Sequence, residues 1–239
     1  LFSLLGSAKV IKSIEIHSLI LTQKAIDKIP AWSKPDDTKP PQQPPQVRVE
    51  SIRLVNALVR HDKASFGPFD ARVSLNSKGE PEEASITTRD GKLKALVTPD
   101  KSNYLIDASA KAWTLPVGPA IVFDELVIKG VATLNGADLS EVSAKIYGGT
   151  VSGKATAGWR KGLQLKGNFD VNQVEMQKIA SMLASKTHVS GKLSAKPVFS
   201  ASAVSADRLI NALRLETPFN VQNGVLHGVD IQQAATSLI

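Results

Sequence analysis

Val151-Ser152-Gly153-Lys154-Ala155-Thr156-Ala157, a turn at Lys161-Gly162, then Leu163-Gln164-Leu165-Lys166-Gly167-Asn168-Phe169-Asp170-Val171 alternate without a fault. One set of positions is aliphatic, aromatic or glycine. The other is Ser, Lys, Thr, Gln, Asn or Asp. Successive side chains of a strand point to opposite faces, so these are two strands of an antiparallel sheet with one dry side and one wet side.

The same alternation extends in both directions. Upstream it predicts strands over 69–75, 84–88, 93–97, 104–112, 126–130 and 142–147. Turn signals separate them at Gly79, Asp90-Gly91, Asn135-Gly136 and Gly148-Gly149. Trp113-Thr-Leu-Pro116-Val-Gly118-Pro119 reads as a break in this meander. Val47 and Val49 stand on the opposite register to Ile52 and Leu54, and an extra residue near Ser51, in a bulge or tight bend, reconciles them. Downstream, 189–195 is a strand, and Asn223-Gly224 signals a closing hairpin. Ser205 can cap a helix with Ala206, Leu209, Ile210 and Leu213 on one face.

Three segments share a second pattern: Ile14-Glu15-Ile16-His17, Phe169-Asp170-Val171-Asn172 and Val229-Asp230-Ile231-Gln232. Each ends as a strand and passes into helical spacing: Ala25/Ile26/Ile29, Met176/Ile179/Ala180/Leu183 and Ile231/Ala234/Ala235/Leu238. The fold expected is mainly β with a few short helices, a long curved antiparallel sheet built from strand–helix repeats. Four regions follow. Residues 1–29 form an N-terminal strand–helix repeat. Residues 30–46, with Pro30, Pro35, Pro40, Pro41, Pro44 and Pro45, form a mobile loop. Residues 47–118 form an antiparallel meander, and 119–239 continue the sheet in further repeats.

Composition narrows the chemistry. Hydrophobic residues make up 42% of the 239, so a core is affordable, but aromatics are only 5%. The absence of cysteine removes disulfides, thiolate zinc sites and thiol catalysis. The net charge of +7 suits anionic partners. Lysines scattered along strands, with few aromatics between them, argue against nucleic acid. No stretch approaches a membrane span. The chain starts at Leu1 and ends in an apparent helix, and it reads as a piece of a longer protein.

Gly148-Gly-Thr-Val-Ser-Gly153-Lys154-Ala155 approaches a phosphate-binding loop, but Ala155 stands where Mg²⁺ needs a hydroxyl, and strand alternation follows where a helix is needed. No nucleotide site is expected. His17, His61, His188 and His227 share no ligand spacing, so no metal is expected either. No nucleophile elbow exists, and Asp170 and Asp230 suit the first turn of a following helix better than catalysis. The reading is non-enzymatic, without cofactor.

The remaining feature is an imbalance: the apolar face of so much sheet exceeds what three or four short helices can cover. The stripe Val151, Leu163, Leu165, Phe169, Val171 and Leu193 is either ordinary core or a wall that faces acyl chains, and the reading taken is the wall. Gly153, Gly167 and Gly191 recur mid-strand on that face, for sheet curvature or for close approach of a ligand.

Four motifs carry a family resemblance: Trp113-Thr-Leu-Pro-Val-Gly-Pro119, Ala144-Lys-Ile-Tyr-Gly-Gly-Thr-Val-Ser-Gly153, Val189-Ser-Gly-Lys-Leu193, and 217–231 from Thr217-Pro-Phe-Asn-Val221 to Gly228-Val-Asp-Ile231. They resemble the C-terminal periplasmic region of AsmA-like proteins. The resemblance implies a bacterial envelope protein, periplasmic and anchored to the inner membrane through an N-terminal segment absent from this chain. It further implies a part in outer-membrane assembly and lipid homeostasis, with phospholipid or lipopolysaccharide and outer-membrane assembly proteins as partners. No family active site comes with it. The alternative is a structural or chaperone-like scaffold that engages an assembly partner through an exposed strand edge.

Overall fold

The structure, a computed structural model, describes residues 9–22, 47–61, 64–116, 120–160, 162–183, 188–209 and 211–227. The proline-rich 30–46 segment, the helical spacing at Ala25, Ile26 and Ile29, and the repeat at 229–238 lie outside them.

The chain forms strands β1 (Lys9–Ile11), β2 (Ile14–His17), β3 (Ile20–Thr22), β4 (Val47–Val49), β5 (Ser51–His61), β6 (Ala64–Leu75), β7 (Pro81–Thr88), β8 (Leu93–Asp100) and β9 (Asn103–Thr114). They continue as β10 (Val122–Ala132), β11 (Gly136–Ile146), β12 (Gly149–Gly158) and β13 (Leu163–Glu175). Helix α1 (Met176–Leu183) then leads to β14 (His188–Ala195) and β15 (Val198–Ala203). The single turn α2 (Ala206–Leu209), β16 (Arg214–Glu216) and β17 (Phe219–His227) complete the described elements.

Fifteen of the described strands make one sheet, and β1 with β4 make a separate parallel pair. From β5 to β13 each strand pairs antiparallel with the next. Local hairpins therefore build the sheet, which sequence alternation and short turns can specify. At one margin β2 and β3 both run parallel to β5. The sheet is therefore mixed, a correction to the all-antiparallel expectation. At the other margin β13 branches: its first half pairs with β15 and its second half with β14, which carries β17.

Strand–helix repetition is not the building principle. After Ile14–His17 comes the strand Ile20–Thr22. Only Phe169–Asn172 leads into a described helix. Trp113 does not break the meander, because it pairs with Phe123 of β10. The closing hairpin at Asn223-Gly224 is also absent. Both residues lie inside β17, where Asn223 takes a φ of 52° and the register slips opposite Gly191. The helix expected after Ser205 is one turn, and Leu213 lies beyond it, exposed. Strands β15 and β16 were not foreseen.

Turn chemistry follows the residues. Asp90 Oδ1 accepts from the Thr88 hydroxyl at 2.7 Å and from the Lys92 backbone N–H at 3.1 Å. Gly91, at φ 69°, completes that turn. The β11–β12 hairpin turns on Tyr147-Gly148, φ 48° and 73°, one residue earlier than expected. The stretch that approached a phosphate-binding loop is therefore a hairpin turn and a strand. The register break near Ser51 is a change of sheet. Glu50, outside any strand, donates its N–H to Ile11 O and accepts from Leu75 N–H, and β5 starts at Ser51.

Bulges keep the faces pure. Leu54 faces Ala71 and Ala57 faces Phe69, so β5 carries one extra residue there. Asn56, at φ 57°, donates its freed N–H to Asp70 Oδ1 at 2.8 Å. In β13, Val171 faces Ala195 and Val174 faces Leu193, with Gln173 at φ 56°. Its N–H goes to Ser194 Oγ at 3.3 Å. In both places three residues of chain advance the partner by two, and apolar side chains three apart share one side.

Candidate functional site

Register assembles the apolar side residue by residue. Ile16, Leu54, Ala71, Ile86, Ala95, Ala108, Ile128, Val142, Gly153 and Phe169 are successive cross-strand partners from β2 to β13. A second row runs Leu93, Ala110, Leu126, Ala144, Val151, Val171, Ala195 and Phe219, from β8 to β17. The opposite side carries ion pairs between residues directly across adjacent strands. Lys145 Nζ meets Glu125 at 2.9 Å, Arg53 meets Glu15 at 3.3 Å, and Lys192 meets Glu175 at 3.5 Å. The hydrogen bond and charge of Lys145 hold the Glu125 carboxyl below its ordinary range.

Burial tells how well the apolar side is covered. Among the described residues ten apolar side chains are buried: seven strand alanines, Ala180 of α1, Leu126 and Val174. An alanine methyl is hidden by its cross-strand neighbours alone. A longer side chain stands above them and needs a second layer. Val174 is the one large side chain fully buried among the described residues. It stands two residues before α1 and opposite Leu193 of β14, the strand on which α1 packs. Where the helix lies, the sheet is covered. Away from it Leu126 is buried among Trp113, Phe123 and Ile128, while Leu93, Val97, Ile106, Ile128 and Val142 remain partly exposed.

The six expected wall residues all lie on this side, and all are half-buried. Val151 and Val171 are direct partners. Leu163 and Leu165 face Ala203 and Ala201 of β15. Leu193 lies apart, under the α1 end, between Val174 and Val221. The mid-strand glycines have a use the sequence left open. A Cβ at Gly153 would lie 2.5 Å from Phe169 Cδ1, and one at Gly167 would lie 2.6 Å from Phe199 Cζ. Each glycine gives its space to a phenylalanine of the next strand and to a backbone carbonyl, that of Asn168 at Gly153 and that of Lys154 at Gly167. The two rings stack at 5.6 Å between centroids, 9° from parallel.

Sequence reasoning missed one concavity. A groove of about 640 Å³ opens on this side at the β7–β8 end of the sheet, between Phe66, Phe69, Ile86, Leu93 and Trp113. Trp113 stacks on Phe123 at 6.0 Å. Three of the chain's ten phenylalanines and tryptophans line it, but Trp113 lies more than forty residues from Phe66 and Phe69, so no local pattern marked it. Arg89 and Asp90 stand at the mouth.

Among the described residues no group of three or more His, Asp or Glu is placed to hold a metal ion. No helix there is long and apolar enough to cross a membrane. Comparison with protein-family models, curated proteins and solved structures finds no match to this chain.

Proposed function

We propose that this is a non-enzymatic protein of the bacterial envelope whose sheet shields the acyl chains of phospholipid or lipopolysaccharide from water. In this reading the sheet is curved, with the apolar side concave, and the protein serves outer-membrane assembly and lipid homeostasis in the periplasm. Val151, Leu163, Leu165, Phe169, Val171 and Leu193 are its wall. The observation that carries the reading is the pair of apolar rows crossing ten and eight strands with little above them. Water against such a surface costs roughly 25 cal/mol per Å², and an acyl chain laid along it recovers that cost without a specific polar contact. The resemblance to AsmA-like proteins supports the same reading.

Lipid extraction and native mass spectrometry of protein purified without detergent test it. Bound acyl chains are expected. Protein that emerges lipid-free, and takes up no lipid from vesicles, would overturn it.

One observation favours the scaffold alternative. Among the described strands β17 pairs only with β14, and its Phe219 and Val225 are 67% and 50% exposed. A free, apolar strand edge can accept a strand from an assembly partner. Lipid-free protein that captures an outer-membrane assembly factor, and loses it in Val225→Pro, would favour this alternative.

A further inference from the structure

We propose that the groove between Phe66, Leu93 and Trp113 takes one chain of an anionic diacyl phospholipid, with the head group at Arg89. The inference rests on the lipid-shielding reading and adds a defined position and a charge preference to it.

Volume, charge and continuity argue for this occupant. A space of about 640 Å³ lies in the range of small-molecule sites, and its walls are aromatic and aliphatic. Its frame is tied. The Arg89 N–H donates to Pro68 O at 3.1 Å, joining the β7–β8 turn to β6, and the Leu93 N–H donates to the Thr88 hydroxyl at 3.0 Å. Gly67, at φ 118°, is hemmed in, since a Cβ there would lie 2.7 Å from Ala57 O.

At the mouth the two signs of charge differ in their freedom. Asp90 is engaged by the Thr88 hydroxyl and the Lys92 backbone N–H. The Arg89 side chain is exposed and has no hydrogen-bond or ion-pair partner among the described residues. Lys92 is exposed beside it. An apolar slot with a free guanidinium at its opening matches an alkyl chain with a phosphate at its end. Leu93 also starts the row through Ala110 and Leu126, so a second chain can lie along the open sheet outside the groove.

The test uses the full chain with Trp32→Phe and Trp159→Phe, so that Trp113 alone fluoresces. Vesicles of brominated-chain phosphatidylglycerol are compared with brominated-chain phosphatidylcholine. Phosphatidylglycerol should quench Trp113 at about fivefold lower concentration, the preference one cationic side chain gives near a charged bilayer. Arg89→Gln should shrink the preference, with exposed Lys92 and the net charge of +7 leaving part of it, and Arg89→Lys should keep it. Leu93→Asp should abolish quenching, and circular dichroism checks its fold. Equal quenching by both lipids, or a preference unchanged in Arg89→Gln, overturns the head-group assignment. Lipid that binds while Trp113 stays bright overturns the groove and leaves the wider reading standing. Protein that binds neither lipid overturns both.

Discussion

The Phe169 ring occupies the space above Gly153, on the neighbouring strand and in direct register with it. The pairing fixes what either position tolerates. A side chain at Gly153 must displace the ring, which is itself stacked on Phe199.

Gly153→Ala should therefore destabilise the protein by about 1–3 kcal/mol, the usual cost of overpacking. Urea denaturation measures it. In Gly153→Ala/Phe169→Ala the two effects should fall short of additive, since the second change removes the ring but leaves the Asn168 carbonyl oxygen and the Phe169 Cα against the new methyl. Full additivity would mean that the ring does not fill that space in solution.

Leu126 is 5% exposed, between Ala110 and Ala144 and among Trp113, Phe123 and Ile128. Leu126→Ala should cost about 2–5 kcal/mol, as for other buried leucines. Leu165, half-buried on the same side, should behave differently. Leu165→Glu should shift the urea midpoint much less than Leu126→Ala does, because its carboxylate can reach water. It should nevertheless reduce the lipid that co-purifies. Loss of folding in Leu165→Glu would mean that this part of the sheet is covered after all.

The β7–β8 turn should weaken in acid. Its hydrogen bonds from the Thr88 hydroxyl and then the Lys92 N–H lower the Asp90 carboxyl from its ordinary value near 3.8. A depressed folded-state value gives stability that is present above the ordinary value and lost as pH falls below it, through the folded value. Amide exchange at Lys92, scaled for intrinsic rates, should accelerate over that window in the wild type. In Asp90→Asn the acceleration should vanish.

On the opposite face, Lys145→Ala should return the Glu125 carboxyl toward its ordinary range, because the Lys145 hydrogen bond is the main cause of its depression. A carboxyl-resonance titration by NMR reads the change. A Glu125 value that stays put in Lys145→Ala would transfer the cause to Lys111, its cross-strand partner on the other side.

The extent to which the chain was legible follows from how far apart its partners lie. Phe169, Val171, Leu163 and Leu165 fall on the predicted side because period-two alternation is a local rule. The turns at Asp90-Gly91 and Tyr147-Gly148 were readable within a residue for the same reason. Asn223-Gly224 failed because the same dipeptide suits a bulge as well as a hairpin, and the choice depends on Gly191 more than thirty residues earlier. The parallel pairing of β2 and β3 with β5 spans a long intervening segment and leaves no local mark. The Phe66–Trp113 groove joins residues from four strands, none of which carries it alone.

By itself, the sequence determined which side of each strand is dry, because alternation is written in neighbouring residues. Only the tertiary structure decided what stands opposite that side. Coverage depends on where α1 packs, how bulges at Asn56 and Gln173 restore the faces, and which strand ends meet at a groove. Those are contacts between distant residues, and a local period does not encode them.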